Sequence, residues 1–149
     1  MKKITGIIGI LFGMTVIIPL AAVISIPVIN NVIAHKTAEK IKDIELPDKT
    51  RYVELFSKAG KLTGNGNGMQ YIGGILIKSE LSQEDLQAYY SRYAEKEYEC
   101  IVEKQTDKNI RFIEHGTVSF DTDIKGDDYY TVYSWGEGNF VLGLDLRAH

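Results

Sequence analysis

Thirty-one consecutive residues, Ile4 to Ala34, contain no Asp, Glu, Lys or Arg, and Ile, Leu, Val, Ala, Phe, Met and Gly fill most of them. A helix needs about 20 apolar residues to cross roughly 30 Å of hydrocarbon. The run exceeds that requirement, so residues 1–34 are expected to form a transmembrane anchor. The core of the span is Ile4 to Ser25, and Asn30-Asn31 mark an interfacial end. Pro19 and Pro27 fall inside the run; proline removes a helix hydrogen bond, but membrane helices tolerate it. Everything after the span is then a tethered domain.

Two other readings of this stretch stand beside the anchor. Lys2-Lys3 and the small-residue end at Val32-Ile33-Ala34 fit a cleaved signal peptide, although a signal's apolar region spans only about 7–15 residues. A buried helix of a soluble fold fits neither the length nor the basic flank. Gly9 and Gly13 form a GxxxG pair with Thr5 one turn earlier, a face that lets two membrane helices approach closely, so weak self-association through Gly9 and Gly13 is expected. Lys36, Lys40 and Lys42 follow the span as closely as Lys2 and Lys3 precede it. Long domains translocate largely regardless of such charges. The favoured topology is a single-pass protein of the cell membrane with its C-terminal domain extracytoplasmic.

Residues 35–45 are charged and helix-permissive and read as a juxtamembrane stalk, ended by Leu46-Pro47 because the residue before proline avoids the α conformation. The remaining stretch, 46–149, is long enough for one small domain with its own core and too short for two. It is expected to fold without the anchor. Of 17 basic and 20 acidic residues, Lys2 and Lys3 precede the span, which leaves a formal charge of −5 for the rest. Nucleic-acid binding needs clustered Lys and Arg, so this acidic balance argues against it. One cysteine excludes a disulfide framework and a CxxC site.

Within the domain, Tyr52–Leu62 reads as a strand with Val53, Leu55 and Ala59 on one face and Tyr52, Glu54, Phe56 and Lys58 on the other. Met69–Lys78 is apolar on both faces and reads as a central strand, where Gly73-Gly74 admits a close helix or a bulge. Ser82 opens a helix. Asp85 stands three residues on as an acidic variant of the capping box, and Leu81 and Leu86 sit at the positions of a hydrophobic staple. Leu86, Tyr89, Tyr90 and Tyr93 form its apolar stripe, and it is expected to end near Lys96. Strands follow at Tyr98–Glu103, at Ile110–Phe120 (one bent or two short), at Tyr129–Trp135 and at Phe140–Leu146, whose Phe140, Leu142, Leu144 and Leu146 alternate most cleanly. The fold class is α+β: a transmembrane helix, then a small antiparallel sheet domain with one packed helix.

Candidate chemistry is sparse. Gly64-Asn65-Gly66-Asn67-Gly68 has a phosphate loop's glycines but runs from strand to strand and lacks the Gly-Lys-Ser/Thr ending, so turn chemistry explains it better. Asp121 to Asp128 opens like a calcium loop. Position 5 is Lys125 and position 12 is Val132, which excludes an EF-hand and leaves a solvated loop or a weak surface calcium site. Cys100 lies on an apolar strand face, and a catalytic thiol would need a basic neighbour such as His115. His35, His115 and His149 have no metal-ligand spacing. The tyrosines and Trp135 fit core positions better than a binding groove. No catalytic, cofactor-binding or metal residue is assigned, and no cofactor is expected.

The run from Lys61 to Ser79, continuing through Leu81-Ser82 to Tyr89-Tyr90, is similar to small uncharacterised membrane-anchored proteins of Gram-positive bacteria. That resemblance implies a bacterial-envelope setting and brings no catalytic or binding residue with it. The expected function is a membrane-anchored, non-enzymatic domain that binds a protein or envelope component. The alternatives are a small hydrolase or transferase with a site assembled from scattered Asp, Tyr and His residues, and a subunit of a membrane complex.

Overall fold

A computed structural model describes residues 2–94, 99–138 and 142–148. The first helix, α1, spans Lys2–Lys42 without a break at Pro19 or Pro27. At 1.5 Å per residue it is about 60 Å long, twice a bilayer's hydrocarbon thickness. It is followed by β1 (Thr50–Gly60), β2 (Gln70–Ser79), α2 (Gln83–Ser91), β3 (Ile101–Lys104) and β4 (Tyr129–Glu137), then by two 3-10 turns at Leu142–Leu144 and Leu146–Ala148. The four strands form one antiparallel sheet in the order β1-β2-β4-β3. The α+β class is as expected, and β2 is central and covered on both faces.

The largest departure concerns residues 35–45. They are not a spacer. The buried positions Ile26, Asn30, Ala34, Ala38 and Ile41 recur every three or four residues along α1, so one helix stripe continues from the apolar run into the core. Gly73 makes this contact close. A Cβ there would lie 2.6 Å from the Ala38 nitrogen and 3.0 Å from the Thr37 Cβ, and nearer still to the Ala34 carbonyl oxygen. Of the two roles open to Gly73-Gly74, the structure takes the close helix.

One face of the sheet carries Ile75, Ile77, Val102, Tyr130 and Val132, and is covered by Ile41 of α1, by Leu86 and Tyr90 of α2, and by Cys100. The other face carries Phe56, Ile72, Leu76, Tyr129 and Tyr133. It is covered by Ile110, Ile113, Val118 and Phe120. The expected strand or strands at 110–120 do not form: a single bridge, Asn109 to Ser119, is all the ladder there is. The apolar residues of that stretch pack as an irregular lid instead of pairing.

Three further expectations are corrected. A bulge between Tyr52 and Glu54 resets the alternation of β1, so Val53 and Phe56 pack on the same cluster. Helix α2 stops at Ser91, short of Lys96. Of the strand expected at Phe140–Leu146, the described part from Leu142 forms two 3-10 turns instead, with Leu144 and Leu146 exposed and Asp145 buried. Phe140, Tyr98 and His149, with the expectations attached to them, lie outside the described residues. The start of α2 is as read: the Asp85 amide donates to Ser82 Oγ at 3.1 Å, and Leu86 is fully buried.

Candidate functional site

The two edges of the sheet differ. Along β3, two glutamines of α2 supply the hydrogen bonds a neighbouring strand would make. Gln87 Nε2 donates to the Cys100 carbonyl at 2.8 Å, the Val102 amide donates to Gln87 Oε1 at 2.8 Å, and Gln83 Nε2 donates to the Val102 carbonyl at 3.0 Å. That edge is closed. Among the described residues, the main chain of the 11-residue strand β1 has no backbone partner outside the sheet; its side chains do, with Glu54 accepting from the Asp121 and Thr122 amides at 2.9 and 3.1 Å and Lys58 Nζ donating to the Thr117 carbonyl at 2.9 Å. Among the described residues the strand's outer row of N–H and C=O groups is open. Such a row is a template for another chain.

At the C-terminal end of β1 lies a trough in two continuous parts. One, of about 500 Å³, is lined by Asn31, Ala34, His35, Ser57, Lys58, Ala59 and Arg147. The other, of about 380 Å³, shares Lys58, Ala59 and Arg147 and adds Gly60, Lys61, His115 and Gly116. No carboxylate lines either part, although the chain as a whole is acidic.

A polar cluster closes the inner end of this trough and fastens the C-terminal turns to α1. Asp145 Oδ2 accepts from Asn30 Nδ2 at 2.8 Å and from the Arg147 guanidinium at 2.7 Å, while Oδ1 accepts from the Arg147 amide and Nε, both at 3.0 Å. Arg147 also donates to Asn31 Oδ1 at 2.9 Å and to the Pro27 carbonyl at 3.0 Å. The hydrogen bond from Arg147, helped by that from Asn30, holds the Asp145 carboxyl at about 2, well below the usual carboxylate value. Sequence reading missed this cluster. The signals were two asparagines at the end of an apolar run and an Asp-Leu-Arg inside an apolar alternation, separated by more than a hundred residues.

The residues singled out in sequence do not converge. In the glycine loop, the Gly64 amide donates to Glu114 at 2.7 Å, and the Leu62 and Thr63 amides donate to Gln70 Oε1, both at 2.9 Å. The loop joins β1 to β2, so no helix N-terminus faces it, and its bonds are those of a stapled connection. The Asp121–Asp128 carboxylates splay toward separate lysines: Asp123 to Lys125 at 2.8 Å, Asp127 to Lys104 at 3.6 Å and Asp128 to Lys78 at 2.9 Å. Among the described residues no three His, Cys, Asp or Glu side chains gather as metal ligands. Cys100 is sealed in the helix-side core, whereas His115 bonds to the Gly64 carbonyl at 2.8 Å beside the trough. His35 pairs with Glu39 at 3.4 Å along α1. Tyr90, Tyr129, Tyr130 and Tyr133 are core residues, and Trp135 is half-buried against Phe112. Burial is the main force raising the Tyr90 and Tyr133 phenols. In the apolar helix, Gly13 faces open space, and the surroundings of Gly9 lie outside the described residues.

What fold and surface define together is a small α+β domain built onto the end of a long apolar helix, with a sheet edge that is open among the described residues beside a basic trough. Comparison with protein-family models, with curated proteins and with solved structures gives no match.

Proposed function

We propose that this chain is a single-pass membrane protein whose extracytoplasmic domain binds, without catalysis, an extended acidic segment of another envelope protein. Met14, Ile17, Ile18 and Leu20 of α1 are all more than half exposed, which suits lipid and not the core of a soluble fold. The observation that carries the binding reading is the contrast between the sheet edges, one capped by Gln83 and Gln87 and the other open over β1. A partner strand would gain main-chain hydrogen bonds along β1. Lys58, Lys61 and Arg147 at its end would favour an acidic segment. The hydrolase or transferase alternative, with its site assembled from scattered Asp, Tyr and His residues, is less well supported, because Asp123, Asp127 and Asp128 pair with separate lysines and Tyr90, Tyr129, Tyr130 and Tyr133 are buried in the core.

The test is a photo-crosslinking residue at Arg51, on β1, against one at Glu84, on the exposed surface of α2, in intact membranes. Crosslinking from position 51 should exceed that from 84 and fall when Lys58 and Lys61 are changed to Glu. A peptide copied from the crosslinked segment should bind the purified protein. Equal yields at the two positions, or yields indifferent to the charge reversal, would refute the reading. External protease acting on intact cells should cleave the domain if the topology is as proposed.

A further inference from the structure

We propose that the C-terminal turn pair is a second membrane contact, with Leu144 and Leu146 seated in the acyl region beside α1. This rests on reading α1 as a membrane span. The turns are fixed in place. Arg147 bonds to Pro27 and Asn31, Asp145 bonds to Asn30, and the Lys61 and Gly68 amides donate to the Arg147 and Ala148 carbonyls at 2.9 and 3.0 Å. Leu144 and Leu146 nevertheless stand 52 % and 77 % exposed.

The polarity of this region is inverted relative to a segment that faces water. Asp145 is buried and its leucine neighbours are outside. On the adjoining turns of α1 the buried stripe of Ile26 and Ala34 takes in the polar Asn30, while Val28, Ile29 and Val32 are exposed together with Asn31. Polar side chains turn inward and apolar ones outward where the surroundings are hydrocarbon. The level along the membrane normal agrees. The exposed apolar residues of α1 run from Met14 to Val32, and a 20-residue window ending at Val32 begins at Gly13 and covers about 30 Å of hydrocarbon, which places Pro27–Asn31 and the turns fixed to them at the inner edge of the acyl–headgroup boundary. His35, which lines the trough with Lys58, then falls about 5 Å beyond Val32, among headgroups. Apolar residues inserted beneath a basic rim are the pattern of an interfacial contact. The turn Leu142–Leu144 packs on α1, and Asp145 and Arg147 bond to the same helix turns that expose Val28, Ile29 and Val32, so the occupant is the bilayer that covers α1.

The experiment places a nitroxide on the full chain in phospholipid vesicles, at Leu146→Cys, with Leu20→Cys in the span and Glu84→Cys on α2 as comparisons. Helix α2 packs at the Ile41 end of α1, far from the apolar run, and Cys100 is too buried to label. Dissolved oxygen concentrates in acyl chains, and a nickel chelate stays in water. The label at 146 should be relaxed more by oxygen than by nickel, as at 20, while the label at 84 shows the reverse. A label at 146 that behaves like 84 while 20 behaves as lipid-exposed overturns this inference and leaves the span standing. Relaxation by neither reagent, with spin–spin broadening, would mean that a second copy covers Leu146, and overturns it too. A nickel-accessible label at 20 removes the span itself. The substitution at 146 leaves the packing intact, so unfolding does not confound the outcome.

Discussion

The contact between Gly73 and α1 predicts that Gly73→Ala loosens the whole chain. The new methyl would meet helix backbone, at 2.6 Å from the Ala38 nitrogen and closer to the Ala34 carbonyl, so no side-chain rotation relieves it. Ordinary contact requires α1 to move off the sheet by roughly 1 Å, a gap that forfeits a quarter to a half of each dispersion contact it opens. Overpacking a well-packed site costs about 1–3 kcal/mol, and a clash with backbone belongs at the upper end. The expected loss is therefore about 3 kcal/mol, read as a lowered denaturation midpoint of the full chain in detergent. Gly13→Ala is the comparison: nothing lies within 4 Å of its new methyl, so its midpoint should hold or rise slightly. The same packing predicts that a chain starting at Leu46, lacking Ala34, Ala38 and Ile41, melts without cooperativity, whereas one starting at Ile26 melts as a unit. Equal midpoints for the two alanine variants, or a Leu46–His149 fragment as stable as the full chain, would refute the claim that α1 completes the core.

At the start of α2, Ser82→Ala should cost about 1 kcal/mol, and Leu86→Ala, at a fully buried site, roughly 2–5 kcal/mol. Equal midpoint shifts in a denaturant titration would contradict that ordering. At Asp145 the folded carboxyl lies below its unfolded value, so its contribution is present above about pH 4 and is lost as pH falls toward about 2. A depression of this size corresponds to about 2 kcal/mol. Asp145→Asn should lower the midpoint at neutral pH and flatten its decline in acid; an unchanged acid limb would show that the cluster with Arg147 and Asn30 contributes nothing.

Local signals were read well where one element determines its own form. Ser82 and Asp85 fixed the start of α2 through bonds made within one turn. The two apolar faces of Met69–Lys78 required a central strand, and Gly73-Gly74 required something close. What covers those faces was not legible. Ala34, Ala38 and Ile41 sit among Lys36, Glu39, Lys40 and Lys42, a polar neighbourhood that reads as a spacer until the stripe is traced back through Asn30 to Ile26. The glutamine caps on β3 were equally hidden, because Gln83 and Gln87 look like ordinary exposed helix residues until a strand edge lies beside them.

The failure at the C-terminus has a more specific cause. Alternation identifies a strand only when one face meets a core and the other meets water, because the assignment relies on burial and not on backbone preference. Leu142, Leu144 and Leu146 alternate, but Asp145 between them has partners 115 residues away in sequence at Asn30 and, through Arg147, at Pro27 and Asn31. Satisfying that carboxylate sets the backbone: Asp145 must face α1 while accepting from the Arg147 amide two residues on, a bond that tightens the chain into a turn. The leucines therefore point outward because the aspartate points inward, and the polar cluster holds them exposed beside α1.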